Sequence, residues 1–123
     1  MCRKLTQNNL AIEKGEILTR EQKRIAPFSL CFSEQLENNY EFDCLNERNI
    51  REFHRFIKKY IGQSITLVDK NCLREPDTSD IWGECQIHHY EVTERFRIHG
   101  YYSNKDAMFH VIRLDPRHRV HRG

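Results

Sequence analysis

The clearest patterning lies late in the chain. Two runs rich in β-branched and aromatic residues, Arg95 to Tyr102 and Met108 to Leu114, flank the turn-forming cluster Ser103-Asn104-Lys105-Asp106. That arrangement predicts an antiparallel hairpin. A loop of two residues, or symmetrically of four, sets His99 opposite His110, Arg97 opposite Ile112 and Tyr101 opposite Met108. One face then carries Arg95, Arg97, His99, Tyr101 and His110. The other carries Phe96, Ile98, Tyr102, Phe109 and Val111 and faces the core, with the Phe109 ring covering the gap at Gly100. A three-residue loop would separate the two histidines, because a slip of one residue turns every side chain of a strand over.

Upstream, Phe28-Ser29-Leu30-Cys31-Phe32 alternates strictly and predicts a first strand with Phe28, Leu30 and Phe32 on one face. Tyr40-Glu41-Phe42 repeats the alternation and is expected to pair with it as a short hairpin. The strongest helical signal runs from Glu47 to Ile61, with Asn46 as N-cap and Gly62 where helices end. Ile50, Phe53, Ile57, Tyr60 and Ile61 form its apolar stripe, and His54, Arg55, Lys58 and Lys59 make the exposed side basic. Ser64 to Asp69 fits either a short strand or a helical turn capped by Ser64. The polar stretch from Asp69 to Gly83 reads as a long loop. Glu84 to Val92 returns to strand, with Cys85, Ile87 and His89 alternating against Gln86, His88 and Tyr90. Residues 1–25 are mixed in charge and match neither period, so they read as a polar arm or one short helix. The rest, residues 26–123, is expected to form one α+β domain, an antiparallel sheet with one main amphipathic helix on one face. The C-terminal hairpin should be central, because both of its faces carry apolar residues: Met108, Ile112 and Leu114 lie opposite Ile98, Tyr102, Phe109 and Val111.

Composition narrows the picture. The chain has 123 residues, 38% apolar and 31% charged, so its aromatic residues must supply much of the core volume. The net charge of +2 is too small to indicate nucleic acid by itself. Its distribution is uneven, however: Arg113, Arg117, His118, Arg119, His121 and Arg122 crowd the last stretch against Asp115 alone. Such a run is either a solvated terminus or a track for phosphates. The five cysteines include no Cys-x-x-Cys pair, and no signal peptide or bilayer-spanning run is visible, so a cytoplasmic setting with reduced thiols is expected.

The chemistry these residues suit best is metal-independent RNA cleavage, which needs a base, an acid and cations around the phosphate. Arg97 would clamp the phosphate, His99 would serve as base or acid, and His118 would join from the tail with Asp115 orienting the turn. Arg95, Tyr101, Arg113, Arg117 and Arg119 are the candidate RNA contacts, Tyr101 by stacking on a base. The competing reading is a half-exposed polar sheet face ended by a simple Asp115-Pro116 turn. Adjacent His88 and His89 point to opposite faces of a strand, and nothing completes a tetrahedral set around His118 and His121, so no metal and no cofactor are expected. A non-catalytic binding protein is the alternative class: an antitoxin, an adaptor or an inhibitor of a host factor.

The Phe28 to Phe32 strand, the central helix, Arg97-Ile98-His99-Gly100, the strand Phe109 to Leu114 and Asp115-Pro116-Arg117-His118 together resemble a group of small, largely uncharacterised bacterial and phage proteins. The resemblance covers residues 28–121. It implies a toxin–antitoxin-type or phage-defence setting, with RNA as target and a protein partner. His110 departs from it, standing where that group carries tyrosine or an apolar residue.

Overall fold

In the computed structural model, residues 25–103 and 105–120 are described, and the expected N-terminal arm lies outside them. Among the described residues two helices pack on one face of a five-stranded mixed sheet, an α+β fold. Helix α1 (Glu47–Tyr60) starts in a capping box: the Asn46 side chain accepts from the Asn49 backbone N–H, and the Asn49 side chain accepts from that of Asn46. Glu47 in its first turn and Lys58 and Lys59 in its last complement the helix dipole. Its buried side is Phe53 and Phe56, with Ile57 and Tyr60 packed alongside. Ile50 and Ile61, expected in the stripe, are exposed. Phe56 has taken the core position, and its ring stacks on Phe53 and meets Phe28 edge-on. Helix α2 (Ile65–Asn71) resolves the ambiguous Ser64–Asp69 stretch, with Ser64 capping the Leu67 N–H and Ile65 and Val68 buried.

The sheet order is β1 (Leu30–Cys31), β5 (Phe109–Asp115), β4 (Arg97–Tyr102), β3 (Cys85–Glu91), β2 (Glu75–Trp82). The C-terminal hairpin is therefore central. Strand β1 runs parallel to β5, not in a hairpin with Tyr40–Phe42. The chain instead follows the outer edge of β5, where the Glu37 N–H donates to the Ile112 carbonyl and Leu114 donates to that of Tyr40. Phe42–Cys44 then forms a 3₁₀ turn. The stretch expected as a loop supplies edge strand β2, which tolerates Pro76 because an edge leaves one side of its backbone unpaired.

The hairpin register also differs from the expected one. The connection between β4 and β5 spans residues 103–108, so Tyr101 pairs with His110 and Gly100 with Val111. A bulge then shifts the pairing to His99 with Arg113 and Arg97 with Asp115. Because of the bulge, Val111 and Leu114 both enter the helix-side core, while Ile112 joins Ile87 and Tyr101 on the opposite face. A side chain at Gly100 would place its Cβ 2.2 Å from the His110 carbonyl oxygen, with the Phe109 ring beside it, so glycine is what lets the two strands approach here. His99 and His110 do not meet across the hairpin.

Candidate functional site

The face of the sheet away from the helices holds a buried polar centre. Asp77 on β2 accepts from His89 Nδ1 on β3 at 2.8 Å and from His99 Nδ1 on β4 at 2.7 Å. The other nitrogen of His99 lies 3.7 Å from Asp115 Oδ2 on β5. Arg113, in the β5 bulge, bonds Asp80 at 2.9 Å and Glu37 at 3.1 Å and approaches His99 Nδ1 at 3.2 Å. Strands β2 and β5 stand three spacings apart, about 14 Å in a flat sheet. A direct Asp80–Arg113 bond therefore requires the sheet to curl, bringing β2 over this face. The same curl lets Glu34 accept from Trp82 at one rim and from Tyr101.

Burial opposes ionisation of Asp77, but the hydrogen bonds and charge of His89 and His99 outweigh it and hold the carboxyl below its ordinary range. Burial likewise opposes protonation of His99, and the neighbouring carboxylates of Asp115 and Asp77 overcome it, so its pKa is raised. Asp115 is held low against its burial by His99 and by the backbone N–H groups of Arg119 and Val120, each at 2.8 Å.

Of the residues singled out from sequence, Arg97, His99 and Asp115 come together, but all three are buried. Arg97 bonds the carbonyls of Thr93 and Glu94 and pairs with Glu91 at 3.6 Å. Asp115 is occupied in fixing the tail turn. Arg113 is held by its acids, and Tyr101 is stacked on His110, with centroids 5.0 Å apart and rings 10° from parallel. Neither is placed to meet RNA as expected. His110 bonds Ser33 at 3.0 Å and Asp106. Burial pushes the Cys72 thiol up to about 11, unsuited to a nucleophile.

The accessible members lie elsewhere. Arg95, Arg117 and His118 line an open depression of about 540 Å³ with Arg48, Glu52, Thr93 and Glu94. Arg119 is exposed nearby in sequence. His118 sits in a turn at φ 52°, and partial burial and the Arg97 charge lower its pKa, favouring the neutral imidazole. Glu52 bonds Arg48 at 3.3 Å. Arg48 and Glu52 escaped the sequence reading because an i,i+4 pair on a helix looks like a solvated face. Asp77, Asp80 and Glu37 escaped because they fall in stretches whose composition signals loop.

No family model, curated protein or solved structure matches the chain. Among the described residues no helix is long and apolar enough to cross a membrane.

Proposed function

We propose that the protein binds single-stranded RNA along Arg48, Arg95, Arg117 and Arg119 and cleaves it without a metal at His118. The observation that carries this reading is the depression itself, where Arg48, Arg95 and Arg117 line one opening with the partly exposed His118, beside the acids Glu52 and Glu94. Guanidinium groups match phosphate oxygens in geometry and charge. A neutral His118 accepts the 2′-hydroxyl proton, the 2′-oxygen bonds to phosphorus, and the bond from phosphorus to the 5′-oxygen breaks. The leaving oxygen takes a proton from solvent, giving a 2′,3′-cyclic phosphate and a 5′-hydroxyl end. Arg97 and Asp115 are positioning residues in this scheme. Arg97 ties down the Thr93–Glu94 wall, and Asp115 holds the turn that presents His118.

The test is a labelled RNA oligonucleotide followed by fluorescence anisotropy and by product analysis, without added metal. His118→Ala is expected to leave binding intact and to slow cleavage by roughly 10²- to 10⁴-fold. Arg95→Ala with Arg117→Ala is expected to weaken binding itself. Binding without cleavage by the wild type would shift the assignment to the non-catalytic class, an antitoxin, adaptor or host-factor inhibitor. That class draws on the exposed Phe32 and Phe42 rings, 5.6 Å apart, as a contact for protein. No RNA binding at micromolar protein would refute both the site and the activity.

A further inference from the structure

We propose that Asp77, His89 and His99 form a binding site for a divalent transition-metal ion of the zinc or cobalt kind. Their donor atoms, one from each of the adjacent strands β2, β3 and β4, all lie within 4.8 Å of one another. The register sets this up directly, with His89 opposite both Glu75 and His99 and the two imidazole rings 5.5 Å apart. Both rings turn Nδ1 toward the same carboxylate. Two imidazoles and one carboxylate suit borderline ions, whereas magnesium and calcium prefer oxygen alone. Metal bonds of about 2.0–2.2 Å give tetrahedral edges of about 3.3 Å. His89 Nδ1 and His99 Nδ1 stand 2.8 and 2.7 Å from different oxygens of the Asp77 carboxylate, and the three donors lie within 4.8 Å of one another, so side-chain shifts of about an ångström bring them to that spacing.

The surroundings point the same way. Each histidine has a second carboxylate beside its other nitrogen: Asp115 at 3.7 Å from His99 Nε2, and Glu75 at 3.9 Å from His89 Nε2. Acids placed there orient metal-bound imidazoles and raise their basicity. The charges are also unbalanced. Arg113 pairs with Asp80 and Glu37, whereas Asp77 and Asp115 face the imidazoles of His89 and His99. Buried carboxylates need nearby positive charge, which protonated imidazoles or a metal ion can supply. On metal binding Arg113 keeps Asp80 and Glu37 and gives up its approach to His99. With His99 almost wholly buried, the ion would be structural, clamping edge strand β2 to the sheet centre. Chain spacing could not show this set, since Asp77 lies 12 residues from one ligand and 22 from the other.

The experiment is a Co²⁺ titration of metal-stripped full-length protein, read by visible absorption and thermal melting, followed by Zn²⁺ displacement. One equivalent should bind at micromolar concentration with the absorption of a four- or five-coordinate ion, raise the melting temperature and be displaced by Zn²⁺. His89→Gln, at a partly exposed position, and Glu75→Gln should each weaken binding by about tenfold or more. Failure of the wild type to bind one equivalent would overturn the proposal. So would binding undiminished in His89→Gln, or binding abolished by thiol alkylation, which would place the ion on cysteines. These outcomes are independent of RNA binding at the depression.

Discussion

Replacing Gly100 by alanine tests the closest approach in the central hairpin. The new methyl would stand 2.2 Å from the His110 carbonyl oxygen and 2.9 Å from its carbon and from the Phe109 ring edge. An ordinary contact between carbon and a carbonyl oxygen is about 3.3 Å or more, so the strands must separate locally by about 1 Å. The obstacle is backbone, which cannot rotate away as a side chain would. Overpacking of a tight interior typically costs about 1–3 kcal/mol, and a stretched or lost ladder bond beside the bulge adds about 1 kcal/mol. A total of about 3 kcal/mol is a large share of the roughly 5–15 kcal/mol that holds a domain together. Calorimetry should show a melting temperature lowered by roughly 10–15 °C. A shift below about 2 °C would refute the reasoning and mean that β4 and β5 do not approach this closely.

Val111→Asp places a charge in the fully apolar helix-side core, without a partner, and should abolish soluble expression; a cooperatively melting soluble variant would show the hairpin to be peripheral. Metal-free protein should be most stable near pH 6.5. Above that, the raised His99, facing Asp77, His89, Arg113 and Asp115, loses its contribution as pH climbs through its folded value. Below it, His88, lowered to about 4 by burial and Arg74, resists the proton that the unfolded chain accepts, and below about 4 the depressed Asp77, Asp106 and Asp115 lose theirs in turn. Urea melts across pH 3 to 9 would show the single maximum, and stability rising steadily to pH 9 would contradict it. Arg117→Ala with Arg119→Ala should flatten the slope of log RNA affinity against log salt by about 1.4 and leave the melting temperature nearly unchanged, since both side chains are exposed. An unchanged slope would make the tail a solvated terminus.

Local signals made part of this fold legible. Asn46, Gly62 and the spacing of Phe53, Ile57 and Tyr60 mark α1 because capping and periodicity are properties of neighbouring residues. The hairpin was visible for the same reason. Strand β2 was not, because its inward residues are acids whose partners His99 and Arg113 lie on other strands, so its composition resembles that of a loop. The bulge in Val111-Ile112-Arg113-Leu114 carries no turn residue, and it alone decides that His99 meets Arg113. Among the candidate residues, the basic tail and His118 stand out in the sequence by composition alone, which could not distinguish the buried Arg97 and Asp115 from the accessible Arg95 and Arg117. Burial is fixed by the curl of the sheet and by the course of residues 33–40 along β5.

The parallel pairing of β1 with β5 has a consequence for how the protein is made. Ser33 and His110, joined by a hydrogen bond, are 77 residues apart. During synthesis α1 and α2 can form early, yet the central strands against which their apolar faces pack emerge only after them. The nascent chain must therefore hold Phe28, Phe53 and Phe56 without their final partners until β4 and β5 arrive. That sequence of events favours slow closure and transient exposure to chaperones over folding in step with the ribosome.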